Sequence, residues 1–306
     1  MININKEINA SACNYLKADD GLKLRYGVFK CSGKSKGNVL LLLGLSEFIE
    51  ECAENIHDLL DRGYNVYTFE WRGQGLSDRH VDEAWKIHLE SFDEYLIDLN
   101  SFLDQVFPTK SKLPAIMIGQ CLGGHVGLRY LQENQSIFSR AIFLAPFVKS
   151  CLPVWVQHLI NPLVSAWVSL GHGKNVVFTE GMGKKSMFSE LRSQYTSCRL
   201  RLKRYIRLVR QKPELLNQVK TYSYIKAFFK SQLMLLDRKR LEAINTPVLI
   251  VSAEKEYFTD KYAQKQTAKL LPKGQYLELD DSLHDILYER DEIRDTFWLA
   301  MTKFVG

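Results

Sequence analysis

The chain has 306 residues, 46% of them hydrophobic and 25% charged, which suits a globular core with an insertion and excludes a low-complexity or disordered protein. Its net charge of +6 hides an asymmetry: residues 150–240 carry 17 Lys/Arg against 4 Asp/Glu, so the remainder is net acidic. Residues 1–14 show no secretion signal, residues 152–170 are too interrupted by polar groups to span a membrane, and the six cysteines form no CxxC pair or zinc-like spacing. A cytoplasmic protein with reduced thiols and no metal or other cofactor is therefore expected.

Short β-rich apolar runs alternate with helical patterns. The run 39–43 (VLLLL) reads as a buried strand. Ile49, Cys52, Ala53, Ile56, Leu59 and Leu60 then recur at helical spacing, with Gly63 where a C-capping glycine belongs. A second strand follows at 65–69 (NVYTF), and a second helical stripe runs from Phe92 through Tyr95, Leu99 and Phe102 to Val106, until Pro108 stops it. Runs at 115–118 (AIMI) and 141–144 (AIFL) come next. Between about 147 and 240 the alternation fails, and helices joined by loops are expected. It resumes at 248–251 (VLIV) and 275–279 (QYLEL), and Ile293, Phe297, Ala300, Met301 and Phe304 give a closing helix. Continuous apolarity fits parallel strands covered on both faces, so the expected fold is α/β, a doubly wound and mostly parallel sheet. The break divides the chain into a first core segment (1–146), a basic helical cap (147–240) and a second core segment (241–306).

In such a sheet the reactive groups gather beyond the C-terminal ends of the strands. After AIMI come Gly119-Gln120-Cys121-Leu122-Gly123-Gly124 and a helical stretch from His125, a G-x-C-x-G elbow between strand and helix. Glycine is required there because side chains two positions from the turn would strike neighbouring strands. A thiol at a helix N-terminus is also favoured as thiolate. Residues 252–260, after VLIV, are rich in carboxylates, and the last strand is followed by Asp280-Asp281-Ser282-Leu283-His284-Asp285. His284 is the expected base for Cys121, with a carboxylate orienting its imidazole. No other histidine follows a strand with an acid loop before it. The first strand ends in Gly44-Leu45-Ser46, so the backbone N–H groups of Leu45 and Leu122 are the expected oxyanion donors.

These motifs resemble the lysophospholipase and monoacylglycerol lipase branch of the α/β-hydrolase superfamily. The resemblance covers most of the chain outside the cap. It rests on Asp61-Arg62-Gly63-Tyr64 before the second strand, and on Trp71-Arg72-Gly73-Gln74-Gly75-Leu76-Ser77, similar to the branch's R-G-Q/H-G-x-S loop. Ser91-Phe92-Asp93-Glu94-Tyr95 resembles the start of its next helix, and His284-Asp285-Ile286-Leu287-Tyr288-Glu289 its H-E-I-L-x-E segment. Within the cap, Thr221-Tyr222-Ser223-Tyr224 is similar to a T-Y-x-W segment of bacterial lysophospholipases. The resemblance implies an α/β-hydrolase fold with an inserted, mainly helical cap, and a carboxylic-ester hydrolase of lipid or small acyl-ester substrates. Three positions depart from the pattern. The branch's nucleophilic serine is Cys121 here, and its usual H-G before the oxyanion donor is Leu43-Gly44. Its catalytic aspartate aligns with Glu256, leaving Asp260 as the alternative acid.

A cysteine nucleophile would form a thioester. Dienelactone hydrolases resemble this chain in carrying cysteine at the elbow, and polyhydroxyalkanoate synthases in using G-x-C-x-G for acyl transfer. Ester hydrolysis by Cys121, His284 and Glu256 is the first expectation. Cysteine-dependent acyl transfer and a weakly active or inactive lipid-binding homologue are the alternatives. In the cap, Arg199, Arg201, Lys203, Arg204, Arg207 and Arg210 surround Leu202, Tyr205, Ile206 and Val209. This segment is expected either to lie on an anionic membrane surface, putting the protein at the inner face of the membrane, or to pack its apolar stripe on the core. The apolar residues 154–168, including Trp155 and Trp167, are expected to line an acyl tunnel or rest on a membrane. No motif supports nucleic-acid binding.

Overall fold

A computed structural model describes residues 7–83, 85–134, 137–177, 193–215 and 219–306. The expectations for residues 1–6, and for 178–192 and 216–218 within the cap, lie outside the described residues. In chain order the strands are β1 (Cys13–Lys17), β2 (Lys23–Phe29), β3 (Gly37–Leu42), β4 (Tyr64–Phe69), β5 (Lys86–Ile87), β6 (Ala115–Gln120), β7 (Arg140–Leu144), β8 (Val219–Lys220), β9 (Val248–Ala253) and β10 (Gly274–Leu279). Among the described residues, eight of them form one sheet in the order β1-β2-β4-β3-β6-β7-β9-β10, while β5 and β8 pair apart from it. Pairing is parallel from β4 through β10 and antiparallel where β2 meets β1 and β4.

Of the strands read from apolar runs, β3, β4 and β9 are buried throughout, whereas β10, at the sheet edge, buries only Leu279. The antiparallel edge was not expected. β1 exposes most of its residues and β2 buries them discontinuously, so neither carries the unbroken apolar signature of a central strand.

The helices are α1 (Ala53–Asp61), α2 (Asp93–Gln105), α3 (Leu122–Glu133), α4 (Val154–Trp167), α5 (Arg199–Gln211), α6 (Tyr222–Leu235), α7 (Arg238–Glu242), α8 (Lys261–Leu270) and α9 (Asp291–Val305). α1 begins at Ala53; Ile49 and Cys52 are buried in the turns before it. Gly63 has φ +88°, as a helix-terminating glycine requires. Between β7 and β9 the chain inserts α4, a π-helical turn at Val168–His172, α5, β8 and α6. The fold is thus a mostly parallel sheet with an inserted, mainly helical cap.

α6 ties the cap to the core through aromatic rings. Phe228 stacks on Phe147 at 4.3 Å between centroids and packs against Phe92 at 5.8 Å. α5 packs its apolar stripe on the core, as one of the two expectations for its segment has it. Ile206 and Val209 lie against a cluster of Phe48, Tyr205 and Leu215, and the helix docks through arginine as well. Arg201 pairs with Glu54 and Asp291, each at 2.6 Å, and Arg204 donates to the carbonyl oxygens of Glu51 and Glu50. Tyr205 is also buried, against Phe48, whereas Arg199, Lys203, Arg207 and Arg210 lie nearer solvent. α4 instead carries an outward apolar stripe: Trp155, Leu159 and Leu163 are 67%, 59% and 70% exposed. No helix among the described residues is long and apolar enough to cross a membrane.

Candidate active site

Cys121 stands between β6 and α3 with φ +49° and ψ −106°, a sparsely populated backbone conformation that must be held by its surroundings. The turn is held on both sides: Cys121 N–H donates to the Leu144 carbonyl of β7, and the Cys121 carbonyl accepts from His125 and Phe147. The flanking glycines have no room for side chains. A Cβ on Gly119 would come within 2.6 Å of the Gly123 carbonyl carbon, and one on Gly123 would overlap the Leu42 carbonyl of β3. Those close approaches bring the start of α3, and the thiol with it, over the end of the sheet.

His284 arrives from the loop after β10. Glu289 is fully buried and folds back to accept a hydrogen bond from Leu283 N–H at 2.9 Å, which closes the loop behind the histidine. His284 Nδ1 donates to Glu256 Oε2 at 2.7 Å, and the Cys121 sulfur lies within electrostatic reach of the imidazole. Glu256 is fixed in turn through its second oxygen, which accepts from the N–H groups of Phe258 and Thr259. Asp260 is occupied elsewhere, capping α8 through Ala263 N–H and pairing with Lys149 at 2.7 Å. Burial opposes charge on His284, but the Glu256 carboxylate and then the Cys121 sulfur outweigh it and hold the imidazole pKa well above 6.5. The rings of Phe258 and Tyr195 face His284 at 5.4 and 5.7 Å between centroids, shielding the imidazole from bulk water.

β3 and β6 are neighbours with Leu42 opposite Gly119, so Leu45 and Leu122 leave the sheet at equivalent positions. Neither backbone N–H donates to another described residue. The Leu45 loop is pinned on both flanks: Gly44 N–H donates to Glu47 at 2.7 Å and Ser46 N–H to Gln74 at 2.6 Å. Gln120 links all three loops, reaching Glu47 and Asp285 with its amide nitrogen and accepting from Leu287 N–H.

Sequence reasoning does not single out Gln120, Gln74, Tyr195 or Phe258 for these roles, since each acts by where the fold places it. It also misses Lys220 of the cap, which lies within electrostatic reach of Cys121. The Tyr224 hydroxyl does so too, beside Tyr95. The sequence marks Tyr224 only as part of a motif. The six cysteines are free thiols, and no group of His, Cys, Asp and Glu among the described residues is arranged to hold a metal ion.

A mostly parallel sheet, an inserted cap and an elbow, acid and histidine in that chain order define an α/β-hydrolase. The chain belongs to the Hydrolase_4 family, serine aminopeptidase S33, which matches it over residues 33–291. Among known proteins it is 24% identical to a probable lysophospholipase L2 of Haemophilus influenzae, across 95% of this chain and 91% of that protein. It is 23% identical to lysophospholipase L2 of Escherichia coli K12, across 93% and 84%. Its fold is similar to that of a soluble variant of the Saccharomyces cerevisiae monoglyceride lipase, with TM-score 0.76, 18% identity and coverage of 96% and 94%. The Paleococcus ferrophilus monoacylglycerol lipase gives 0.71, 19%, and 92% and 98%. This is the branch to which the sequence motifs point.

Proposed function

We propose that the protein hydrolyses the carboxylic ester of lysophospholipids or monoacylglycerols through a covalent acyl-enzyme on Cys121. The observation that carries this reading is the buried Glu256–His284 pair, with the elbow sulfur of Cys121 within electrostatic reach of its imidazole. The similarity to lysophospholipases and monoacylglycerol lipases supports the substrate class. The Cys121 thiolate attacks the ester carbonyl carbon, and the oxyanion is met by the N–H groups of Leu45 and Leu122. As the C–O bond breaks, the imidazolium of His284 gives its proton to the departing alcohol, leaving a thioester. Water then attacks the thioester while His284 takes a proton from it. The C–S bond breaks, the fatty acid leaves and the thiolate returns. Glu256 holds the imidazole in the tautomer and orientation that both steps need.

The exposed stripe of α4 is the surface by which the cap meets lipid aggregates in this account, and a peripheral place at the inner face of the membrane goes with it. The test is fatty-acid release from micellar lysophospholipid and monoacylglycerol. Wild-type protein is expected to release it, and Cys121→Ala and His284→Ala to lose on the order of a thousandfold in rate. Wild-type protein inert toward both esters, or a Cys121→Ala variant as fast as wild type, would overturn the assignment.

A further inference from the structure

Part of the cap runs as a short strap beside the loop of His284. Residues 195–201 bind residues 285–289, which follow the histidine directly. Asp285 N–H donates to the Tyr195 carbonyl at 2.8 Å, Thr196 Oγ1 to the Tyr288 carbonyl at 2.7 Å, and Arg201 Nη1 to the Glu289 carbonyl at 2.6 Å. The strap begins at Tyr195, whose ring faces His284. Glu289 fastens it from the core side. Its Oε1 accepts from Leu283 N–H at 2.9 Å and from Ser197 N–H at 3.0 Å. Its Oε2 accepts from the Ser197 hydroxyl and from Arg290 N–H, the latter at 3.1 Å. One fully buried carboxylate thus joins the residue before His284, the cap and the turn into α9.

A carboxylate is the group these donors require. An amide of the same shape would turn its NH2 toward a backbone N–H whichever way it is set. Burying the charge is costly unless such donors surround it, and apolar side chains could have filled the same space. What the carboxylate adds is a common acceptor that the cap and the histidine loop must both meet. We propose that Glu289 is a positioning residue of the reaction, the group through which the seated cap holds His284 against Glu256. The proposal rests on the hydrolase reading and adds that the cap helps to fix the base, so that it does more than cover a finished site. The geometry it guards is the 2.7 Å bond from His284 Nδ1 to Glu256. A displacement of about 1 Å in such a group costs on the order of a hundredfold in rate.

The experiment compares wild-type protein with Glu289→Gln, Ser197→Ala and Ser197→Thr. A soluble p-nitrophenyl ester reports kcat and KM without a lipid interface, and nitrogen NMR of the His284 ring reports where the imidazole titrates. Glu289→Gln is expected to lower kcat at least about tenfold while KM stays within about twofold. It should also move the His284 midpoint down by about one pH unit, as the imidazole loses its fixed place on Glu256. Ser197→Ala alters only a solvent-exposed position of the cap. It should lower kcat about threefold, for one hydrogen bond lost, and Ser197→Thr should restore the rate. That pair carries the test alone should glutamine at 289 disturb folding. An unchanged rate in Glu289→Gln or in Ser197→Ala would overturn the role of Glu289. A slower Glu289→Gln with the His284 midpoint unmoved would overturn it too, marking a carboxylate that only stabilises the fold. If wild-type Cys121 takes no acyl group from the ester, the hydrolase reading itself fails, and the midpoint still decides whether Glu289 holds His284.

Discussion

His284 is buried, and burial alone would keep an imidazole neutral. The Glu256 carboxylate at 2.7 Å and then the Cys121 sulfur reverse that preference and raise its pKa well above 6.5. Because the folded value is raised, the stabilisation from this pair is fully present below pH 6.5 and is lost as pH climbs through the raised value. We expect nitrogen NMR of the ring to show the imidazolium persisting well above pH 6.5 in the wild type. Glu256→Gln should move the midpoint down by at least about one pH unit. A wild-type midpoint at the ordinary histidine value would contradict the pairing. At this scale the sequence is informative unevenly. The positions of Cys121 and His284 are legible because each comes directly after an apolar strand run, in the chain order this fold uses. Choosing Glu256 over Asp260 takes a family resemblance, because two carboxylates four residues apart in one loop cannot be ranked by spacing.

Elements set the site by meeting at few points, and α3 shows how. His125, one turn into that helix, is fully buried; its Nδ1 donates to the Phe147 carbonyl at 2.8 Å and its Nε2 accepts from Ser231 of α6 at 2.7 Å. It therefore joins the elbow helix to the cap. Burial lowers its pKa from 6.5 to about 4, against the pull of the Phe147 carbonyl. A depressed folded value means stability present above pH 6.5 and lost as pH falls toward 4, by roughly 3 kcal/mol over that window. His125→Gln keeps hydrogen-bonding capacity without the titration, so denaturant titrations should show it losing less stability than wild type between pH 6.5 and 4. Parallel profiles would refute the assignment. Elements with an unbroken apolar run are legible in the sequence. β1 and β2 are not, because their burial is interrupted along the strand, and β5 and β8 are not, because two-residue strands have no pattern to read.

Across the whole molecule, the charge asymmetry is partly an attachment. The basic cap settles on acidic groups of the core, with Arg201 pairing with the largely buried Glu54 and with Asp291. The positive charge read from the sequence as a surface feature is thus in part internal, which no count of lysines and arginines reveals. The outward face of α4 is apolar instead, and vesicle binding should follow it. Trp155→Ser with Leu163→Ser is expected to weaken binding at least about tenfold, given the apolar area removed from lipid. Reversing Arg199 and Lys203 to glutamate should change it less, and the opposite ranking would favour the basic helix as the lipid contact. The central claim is that Cys121 is an acylated nucleophile served by His284, and intact-protein mass spectrometry with a short-chain p-nitrophenyl ester addresses it most directly. The expected result is an acyl mass on Cys121 that forms and decays with turnover, and forms far more slowly in His284→Ala. Absence of that mass in the wild type, or equal thiol reactivity with and without His284, would contradict it.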